Sequence, residues 1–190
     1  MRLMEQKILA EGKVLPGGIL KVGSFLNQQL DIAFFREMAK EIAVLFADDN
    51  VTKILTVEAS GIAIAVAAGL EMNVPVVFAK KHQTSNLDGD VYRASVHSFT
   101  HSTTYDIVVS SDFIQPSDRI LLVDDFLANG KALTGLCEIV NQASAHLVGA
   151  AIAIEKCFQG GGDALRKKGV RIESLAKILA MDDAGAIAFR

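Results

Sequence analysis

The chain has 190 residues, 51% of them hydrophobic, and a formal net charge of −3. This length predicts one domain, residues 1–190, that buries roughly 70% of its unfolded surface. The basic residues are scattered, so the charge pattern favours neither nucleic acid nor an acidic membrane as a partner. The sequence contains no signal peptide and no membrane-spanning apolar run, which predicts a cytoplasmic location and no membrane partner.

The first thirty residues predict a short helix followed by broken chain rather than a sheet core. Residues 1–10 carry an apolar side, and the GK, PGG and VG pairs that follow favour loops and short extended pieces. Asp31 is a suitable N-cap for a helix that runs to about Phe46. The apolar side of that helix comprises Ile32, Phe35, Met38, Ile42, Leu45 and Phe46.

A buried strand is predicted at Lys53–Val57, followed by the turn EASG and a helix rich in small residues. A strand, a tight turn and a helix form an anion-binding geometry, because free N–H groups collect at the helix start. The same sequence is equally compatible with an ordinary helix that is capped by Ser60.

Residues 74–79 predict another parallel strand, which ends at the cations Lys80 and Lys81. Two cations at a carboxyl edge suit a pyrophosphate, although a solvated strand end is also compatible. Residues 82–90 are polar and turn-rich, a composition that suits a mobile lid loop. The segments YRASVHSF and DIVVS then predict a hairpin.

The most informative run is ILLVDDFLANGKALTG, residues 120–135. Four apolar residues predict a strand buried on both faces, with Asp124 and Asp125 exposed at its carboxyl edge. Small residues and a helix follow, so backbone N–H groups can approach an anion closely. Acids beside a phosphate cradle fit a ribose phosphate.

The last third predicts one more buried strand at residues 147–154, a short helix at 163–168 and a closing strand, VRIESLAKI. Lys156 follows the first of these strands at the edge that carries Asp124. Neighbouring residues of a strand point to opposite faces, so Glu155 is a poor partner and Lys156 is expected to be free. The whole predicts an α/β fold with a central, mostly parallel sheet flanked by helices. No GxGxxG follows a strand, which disfavours a nicotinamide site.

The run at 120–135 resembles the phosphoribosyl-diphosphate-binding signature of the type I phosphoribosyltransferases. One departure is that Asn129 and Ala132 stand where family members often have threonine. FLANGKA, together with LKVGSFLNQQLD at residues 20–31, is similar to the bacterial xanthine phosphoribosyltransferases over nearly the whole chain. That resemblance implies a small hood over the base, to which residues 1–30 contribute.

The resemblance implies transfer of a phosphoribosyl group from phosphoribosyl diphosphate to xanthine, with Asp124 and Asp125 as the catalytic residues. It implies Mg²⁺ as the cofactor, bound mainly through the substrate and without direct protein ligands. It also implies a homodimer, with Lys81 as a candidate contribution to the partner's pyrophosphate site, and a cis peptide near Ala59 and Ser60. The implied xanthine-binding residues are Leu20, Asn27 and Lys156. The implied phosphoribosyl-diphosphate-binding residues are Ala128, Asn129, Gly130, Lys131, Ala132, Ser60, Gly61 and Lys81.

Two alternatives stay open on the sequence. One is a phosphoribosyltransferase for another purine. The other is a regulator that senses phosphoribosyl diphosphate without chemistry, although such regulators add a DNA-binding domain and a basic surface.

Overall fold

A computed structural model describes residues 2–81, 90–98 and 103–190 of the chain. The predicted lid at residues 82–90 lies outside these ranges except for Asp90. In the ranges that are described, no helix is both long enough and apolar enough to cross a membrane.

The centre of the fold is a six-stranded sheet in the order β10-β9-β8-β7-β3-β4. All neighbouring strands are parallel except β10, which runs antiparallel to β9. This arrangement confirms the predicted mostly parallel sheet. The strands are β3 (Lys53–Val57), β4 (Val76–Ala79), β7 (Arg119–Leu127), β8 (His146–Lys156), β9 (Ile172–Met181) and β10 (Ile187–Phe189).

Alternate residues of each central strand face two separate hydrophobic cores. Leu121 packs with residues of the helices α1, α2 and α3, whereas its neighbour Leu122 packs with α4, α5 and a hairpin. Both faces of the sheet are therefore covered, which explains why its strands read as continuous apolar runs. The helices are α1 (Leu3–Glu11), α2 (Ile32–Leu45), α3 (Ser60–Met72), α4 (Lys131–Gln142) and α5 (Gly161–Lys167).

Two smaller pieces stand over the carboxyl edge of the sheet. Near the N-terminus, β1 (Lys13–Leu15) and β2 (Ile19–Lys21) pair antiparallel, and one π-helical turn follows at Gly23–Asn27. The predicted hairpin is confirmed as β5 (Val91–Ser98) and β6 (Thr103–Ser110). We call β1, β2 and the turn between them the hood hairpin.

The predicted cap of α2 is confirmed, since the Asp31 side chain accepts a hydrogen bond from the N–H of Phe34 at 3.1 Å. The predicted start of α5 is two residues late, because the glycines that follow β8 already adopt helical geometry. The cis peptide joins Glu58 to Ala59, one bond before the position expected from the resemblance. Ser60 does not cap α3, whose N-cap is Ala59.

The prediction that both acids lie exposed after the strand is wrong for Asp124. Strand β7 continues through both acids to Leu127, and β8 pairs with it as far as Glu155. Asp124 therefore lies inside the paired part of the strand, next to Gly61 at the start of α3, and the residue is buried at 7% exposure. Asp125 is only half-buried.

Candidate active site

A cavity of about 420 Å³ opens at the carboxyl edge of β7 and β8. Its walls come from the ends of these two strands, the loop and first turn after β7, the β5–β6 hairpin and the turn of the hood hairpin. The lining residues are Gly17, Gly18, Ile19, Val96, Tyr105, Asp124, Phe126, Leu127, Ala128, Asn129, Gly130, Lys131, Ala132, Leu133, Ile152, Lys156 and Gln159. Ligand sites of α/β proteins commonly occupy this position, because the loops there meet above the sheet.

Asp124 lies in the wall of this cavity and is the most perturbed acid of the site. Burial and the neighbouring charge of Asp125 raise its pKa well above the usual carboxyl range. Its Oδ1 accepts the N–H of Asp125 at 2.9 Å. Because the free protein offers this carboxylate little stabilisation, a ligand that brings hydroxyl donors or positive charge would favour its charged form.

The second acid, Asp125, is not among the residues that line the cavity. Its Oδ1 accepts the N–H of Phe126 at 2.9 Å. The two carboxylates nevertheless interact, because, besides burial, the charge of Asp125 and a side-chain hydrogen bond with it both contribute to the raised pKa of Asp124.

The loop after β7, residues 128–132, lines the cavity without interruption. Gly130 adopts φ +78°, a conformation that a branched residue rarely takes, and it is the N-cap of α4. The Asn129 side chain accepts the N–H of Lys131 at 3.1 Å. The first amides of a helix lack intrahelical acceptors, so the loop and the start of α4 present N–H groups and a positive helix end to the cavity.

The turn between β3 and α3 approaches the same acid from the side. A Cβ built at Gly61 would overlap Oγ1 of Thr56 and would lie 3.0 Å from Oδ1 of Asp124. Thr56 is fully buried, and its hydroxyl makes no hydrogen bond in the described part of the chain. Ser60, the first residue of α3, and Gly61 are not among the cavity-lining residues, although they adjoin its acid.

Lys81 follows β4 and turns toward the β5–β6 hairpin. Its N–H donates to Oε1 of Glu58 at 2.6 Å, and its Nζ lies 5.6 Å from the ring centroid of Tyr105. Tyr105 lines the cavity, and burial and the charge of Asp124 raise its pKa. The structure thus places Lys81 beside the site of its own chain.

Lys156 is the predicted base-binding residue that does line the cavity. Its Nζ donates to the carbonyl oxygen of Gly18 in the hood hairpin at 2.9 Å and lies 5.5 Å from the Phe126 ring centroid. The expectation of a free ammonium group is therefore wrong, although Glu155 is indeed not its partner and pairs with Arg166 instead. Burial lowers the pKa of Lys156.

Leu20 and Asn27 lie outside the cavity lining. Leu20, in β2 of the hood hairpin, is buried in the core, whereas Asn27 ends the π-helical turn and is exposed. Sequence reasoning missed Phe126, Tyr105 and Gln159. Phe126 directly follows the acid pair and could have been found from that position, whereas the other two reach the cavity only through tertiary packing.

A family model described as a phosphoribosyl transferase domain matches residues 22–175. This match spans both acids, the loop at 128–132 and Lys156. The chain belongs to the phosphoribosyltransferase family. Among curated relatives, the xanthine phosphoribosyltransferase of Ruminiclostridium cellulolyticum is 53% identical over 189 residues, which cover 100% of this chain and 99% of the relative. That of Lachnoclostridium phytofermentans is 49% identical, over 100% of this chain and 98% of the relative.

Solved phosphoribosyltransferases share the fold of this one at much lower identity. An adenine phosphoribosyltransferase from Giardia lamblia, complexed with 9-deazaadenine, superposes with a TM-score of 0.77 at 19% identity, covering 92% of this chain and 97% of the other. The adenine enzyme from Thermoanaerobacter pseudethanolicus gives 0.76 at 18% identity, with 92% and 99% covered. At these identities, the structural similarity establishes the fold. It does not determine which purine base the protein uses.

Proposed function

We propose that this phosphoribosyltransferase transfers the 5-phosphoribosyl group of phosphoribosyl diphosphate to xanthine, forming xanthosine monophosphate and pyrophosphate in purine salvage. The observation that carries the proposal is the match to curated xanthine phosphoribosyltransferases over the whole chain, at 53% and 49% identity for the two named above. The cavity that joins Asp124, the loop at 128–132 and Lys156 supports it.

The 5-phosphate would bind at the loop, residues 128–132. The N–H of Lys131, the first of α4, is held by the Asn129 side chain, and the glycine N-cap places no side chain over the amides that follow it. A dianionic phosphate is stabilised by several N–H groups and the positive helix end together. Lys131 is exposed at this position and adds positive charge. No side-chain hydroxyl is needed, which accounts for Asn129 and Ala132 in place of threonine.

Asp124 and Asp125 would hold the ribose hydroxyls. As the bond from the anomeric carbon to pyrophosphate breaks, positive charge develops on the ribose, and a carboxylate close by stabilises that charge. The buried Asp124 suits this role because its negative charge is poorly compensated before the substrate arrives. Neither acid needs to form a covalent bond, since positioning and electrostatics carry the transfer.

The pyrophosphate would bind at the turn before α3, through Ser60 and Gly61, with Lys81 beside it. Support comes from the position of Gly61, where a Cβ would lie 3.0 Å from Oδ1 of Asp124. The leaving group would then depart next to the acid that stabilises the ribose.

Xanthine would bind on the opposite side of the cavity, under the hood hairpin. Lys156 and Phe126 supply a cation and an aromatic face there. An ammonium donor matches the carbonyl oxygens of an oxopurine, whereas adenine presents an amino group at the corresponding edge. Leu20 belongs to β2 of the hood hairpin and Asn27 to the π-helical turn that follows it, and neither lines the cavity. Their predicted contact with the base would therefore require this segment to move.

Mg²⁺ is the cofactor expected with phosphoribosyl diphosphate. Among the residues that the structure describes, no three His, Cys, Asp or Glu side chains gather closely enough to hold a metal ion. The available donors, Asp124 and Asp125, are hard oxygen ligands that suit Mg²⁺, and they would hold it through ribose hydroxyls and water. The ion would supply charge neutralisation to the leaving pyrophosphate.

A homodimer is also part of the proposal. An apolar groove of about 550 Å³ runs between α2 and α3, and Leu70 at its side is 80% exposed. Apolar surface of this kind commonly marks an interface between proteins. Leu70→Lys should convert the dimer to a monomer in sedimentation experiments, whereas Val44→Lys, at an equally exposed position outside the groove, should not. A fully active wild-type monomer would contradict the proposal.

The assignment of the base is tested by turnover with phosphoribosyl diphosphate, Mg²⁺ and each purine in turn. Xanthine should give the highest kcat/KM, and adenine should react poorly because its edge leaves the site's hydrogen bonds unpaired. Preference for adenine, guanine or hypoxanthine would indicate another purine transferase. No turnover with any purine, together with tight binding of phosphoribosyl diphosphate, would indicate a sensing regulator. The cytoplasmic location stays a prediction.

A further inference from the structure

The backbone of the loop at 128–132 packs directly on the first residue of α5. The N–H of Gly161 donates to the carbonyl oxygen of Ala128 at 3.1 Å. A Cβ built at Gly161 would overlap the backbone atoms of Ala128, Asn129 and Gly130. From the other side, a Cβ at Gly130 would lie 3.2 Å from Cα of Gly161. The two segments therefore meet backbone to backbone, with no room for a side chain on either one.

The start of α5 is itself fixed by a buried ion pair. Glu155 is 1% exposed and accepts hydrogen bonds from both terminal nitrogens of Arg166 at 2.7 Å and from Ser174 Oγ at 2.5 Å. A Cβ at Gly162 would overlap Oε1 of Glu155 and would lie 2.8 Å from Nη1 of Arg166. A buried carboxylate is costly without all its partners, so this arrangement holds Arg166, and with it α5, in one position.

We infer that Gly161 and Gly162, with the Glu155–Arg166 pair behind them, are positioning residues for the 5-phosphate of phosphoribosyl diphosphate. The inference rests on the proposed function, and in particular on the placement of that phosphate at residues 128–132. These four residues stand behind the loop, outside the residues that line the cavity. They act through the loop backbone, because the direction of its N–H groups follows from the surface on which it rests.

A purely structural role for the glycine pair makes a different prediction. If close packing serves only folding, a side chain at Gly161 lowers the free energy of unfolding and weakens both substrates equally or neither. If the packing instead orients the N–H groups of the loop, the same side chain displaces the loop. The affinity for the phosphate should then fall while the affinity for xanthine stays nearly constant.

The test is Gly161→Ala, with Gly149→Ala as the matched control. Gly149 is a buried glycine of β8 that lies away from the loop. A Cβ there would lie 2.9 Å from the Arg171 carbonyl oxygen and 3.2 Å from the Phe46 ring. Gly161→Ala should raise the KM for phosphoribosyl diphosphate and the Kd for ribose 5-phosphate about 10- to 100-fold, the size expected for a displacement near 1 Å. The KM for xanthine should change by less than about 3-fold, since that interaction is untouched. Gly149→Ala should lower Tm without this split.

An unchanged affinity of Gly161→Ala for ribose 5-phosphate would overturn the inference, as would equal losses for both substrates. If Gly161→Ala does not fold, Arg166→Lys decides, because lysine keeps the charge but loses the two-point contact with Glu155. It should weaken ribose 5-phosphate selectively by a smaller factor, and an unchanged affinity would again overturn the inference.

Gly130→Val separates the inference from the function on which it rests. If Gly130→Val leaves ribose 5-phosphate binding unchanged, the placement of the phosphate is wrong. If Gly130→Val weakens binding while Gly161→Ala and Arg166→Lys do not, the phosphate is placed correctly and only the role of α5 is wrong.

Discussion

The two ends of the cavity are built in different ways. The end that we propose for the phosphate, called the phosphate end, consists of consecutive residues, 128–132, which all line the cavity. The end that we propose for xanthine, called the base end, joins Lys156 to Gly18, which are 138 positions apart in the chain. Of the three residues predicted to contact the base, Lys156 alone lines the cavity. A backbone cradle is thus encoded locally, whereas a side-chain pocket depends on how distant segments pack.

The largest loss of activity is expected from substitution of Asp124, which lies between the two ends of the cavity. We expect it to act mainly on the rate of transfer. Asp124→Asn should lower kcat by about 100-fold or more, the loss typical of one group that stabilises transition-state charge. The KM for xanthine should change little, whereas that for phosphoribosyl diphosphate should rise, because the ribose hydroxyls lose a charged acceptor. Steady-state kinetics with each substrate varied in turn measures this.

Asp118→Asn is the matched control at the other end of β7. Asp118 pairs with Lys53 at 2.6 Å, so its substitution should lower Tm while kcat in the folded fraction stays near wild type. Equal losses of Tm and activity in the Asp124 variant would make Asp124 a structural acid instead.

Gly130→Val should damage the phosphate end selectively. A branched side chain at φ +78° strains the backbone and would press on Gly161 and Leu165. Affinity for ribose 5-phosphate should fall more than about 10-fold, because amide contacts to phosphate require close approach.

Calorimetry on the folded Gly130→Val protein measures that affinity. Gly185→Val is the matched control, because Gly185 also has a positive φ, +95°, and a Cβ there would meet no atom within 4 Å. If the two variants bind ribose 5-phosphate alike, the cradle lies elsewhere.

Lys156→Ala should damage the base end selectively. The substitution removes a charged donor and its hydrogen bond to the hood hairpin, a loss that typically weakens binding about 10-fold or more. The KM for xanthine should rise while that for phosphoribosyl diphosphate stays nearly constant. Asn27→Ala should have a smaller effect of the same kind, and xanthine kinetics that neither variant alters would show that the base pocket is misplaced.

The smallest effect concerns stability and pH. Because burial and Asp125 raise the pKa of Asp124, the folded state holds this proton more tightly than the unfolded chain does. The contribution of this group to stability therefore falls as pH rises from the usual carboxyl range through the raised pKa. Asp124→Asn does not ionise, so its Tm should exceed that of wild type by a few degrees above this window and match it below.

Asp118 should show the opposite sign. Burial alone would raise its pKa, but hydrogen bonds from Lys53 and the N–H of Gln115 bring it below the usual value. The stability that Asp118 contributes should therefore be lost as pH falls. Thermal melts of wild type and both variants across pH distinguish the two acids, and a constant offset at every pH would contradict the burial argument for Asp124.

The sequence predicted what depends on short-range pattern. The parallel strands, the cap at Asp31 and the loop at 128–132 follow from periodicity, a capping residue and small residues after a strand. The sequence could not reveal that β7 continues past Val123, because the pairing of Asp124 with β8 is a tertiary contact. The hydrogen bond from Lys156 to Gly18 and the packing of the loop against Gly161 could not be predicted from the sequence for the same reason, since each joins segments that are far apart in the chain.

The two ends of the cavity are expected to bind their substrates independently, and a double-mutant cycle tests this most directly. Wild type, Gly130→Val, Lys156→Ala and the double variant are compared by kcat/KM for each substrate. Independent ends predict that the free-energy effects of the single substitutions add to within about 0.5 kcal/mol in the double variant. A coupling well above that value, or a rise of both KM values in either single variant, would contradict this expectation.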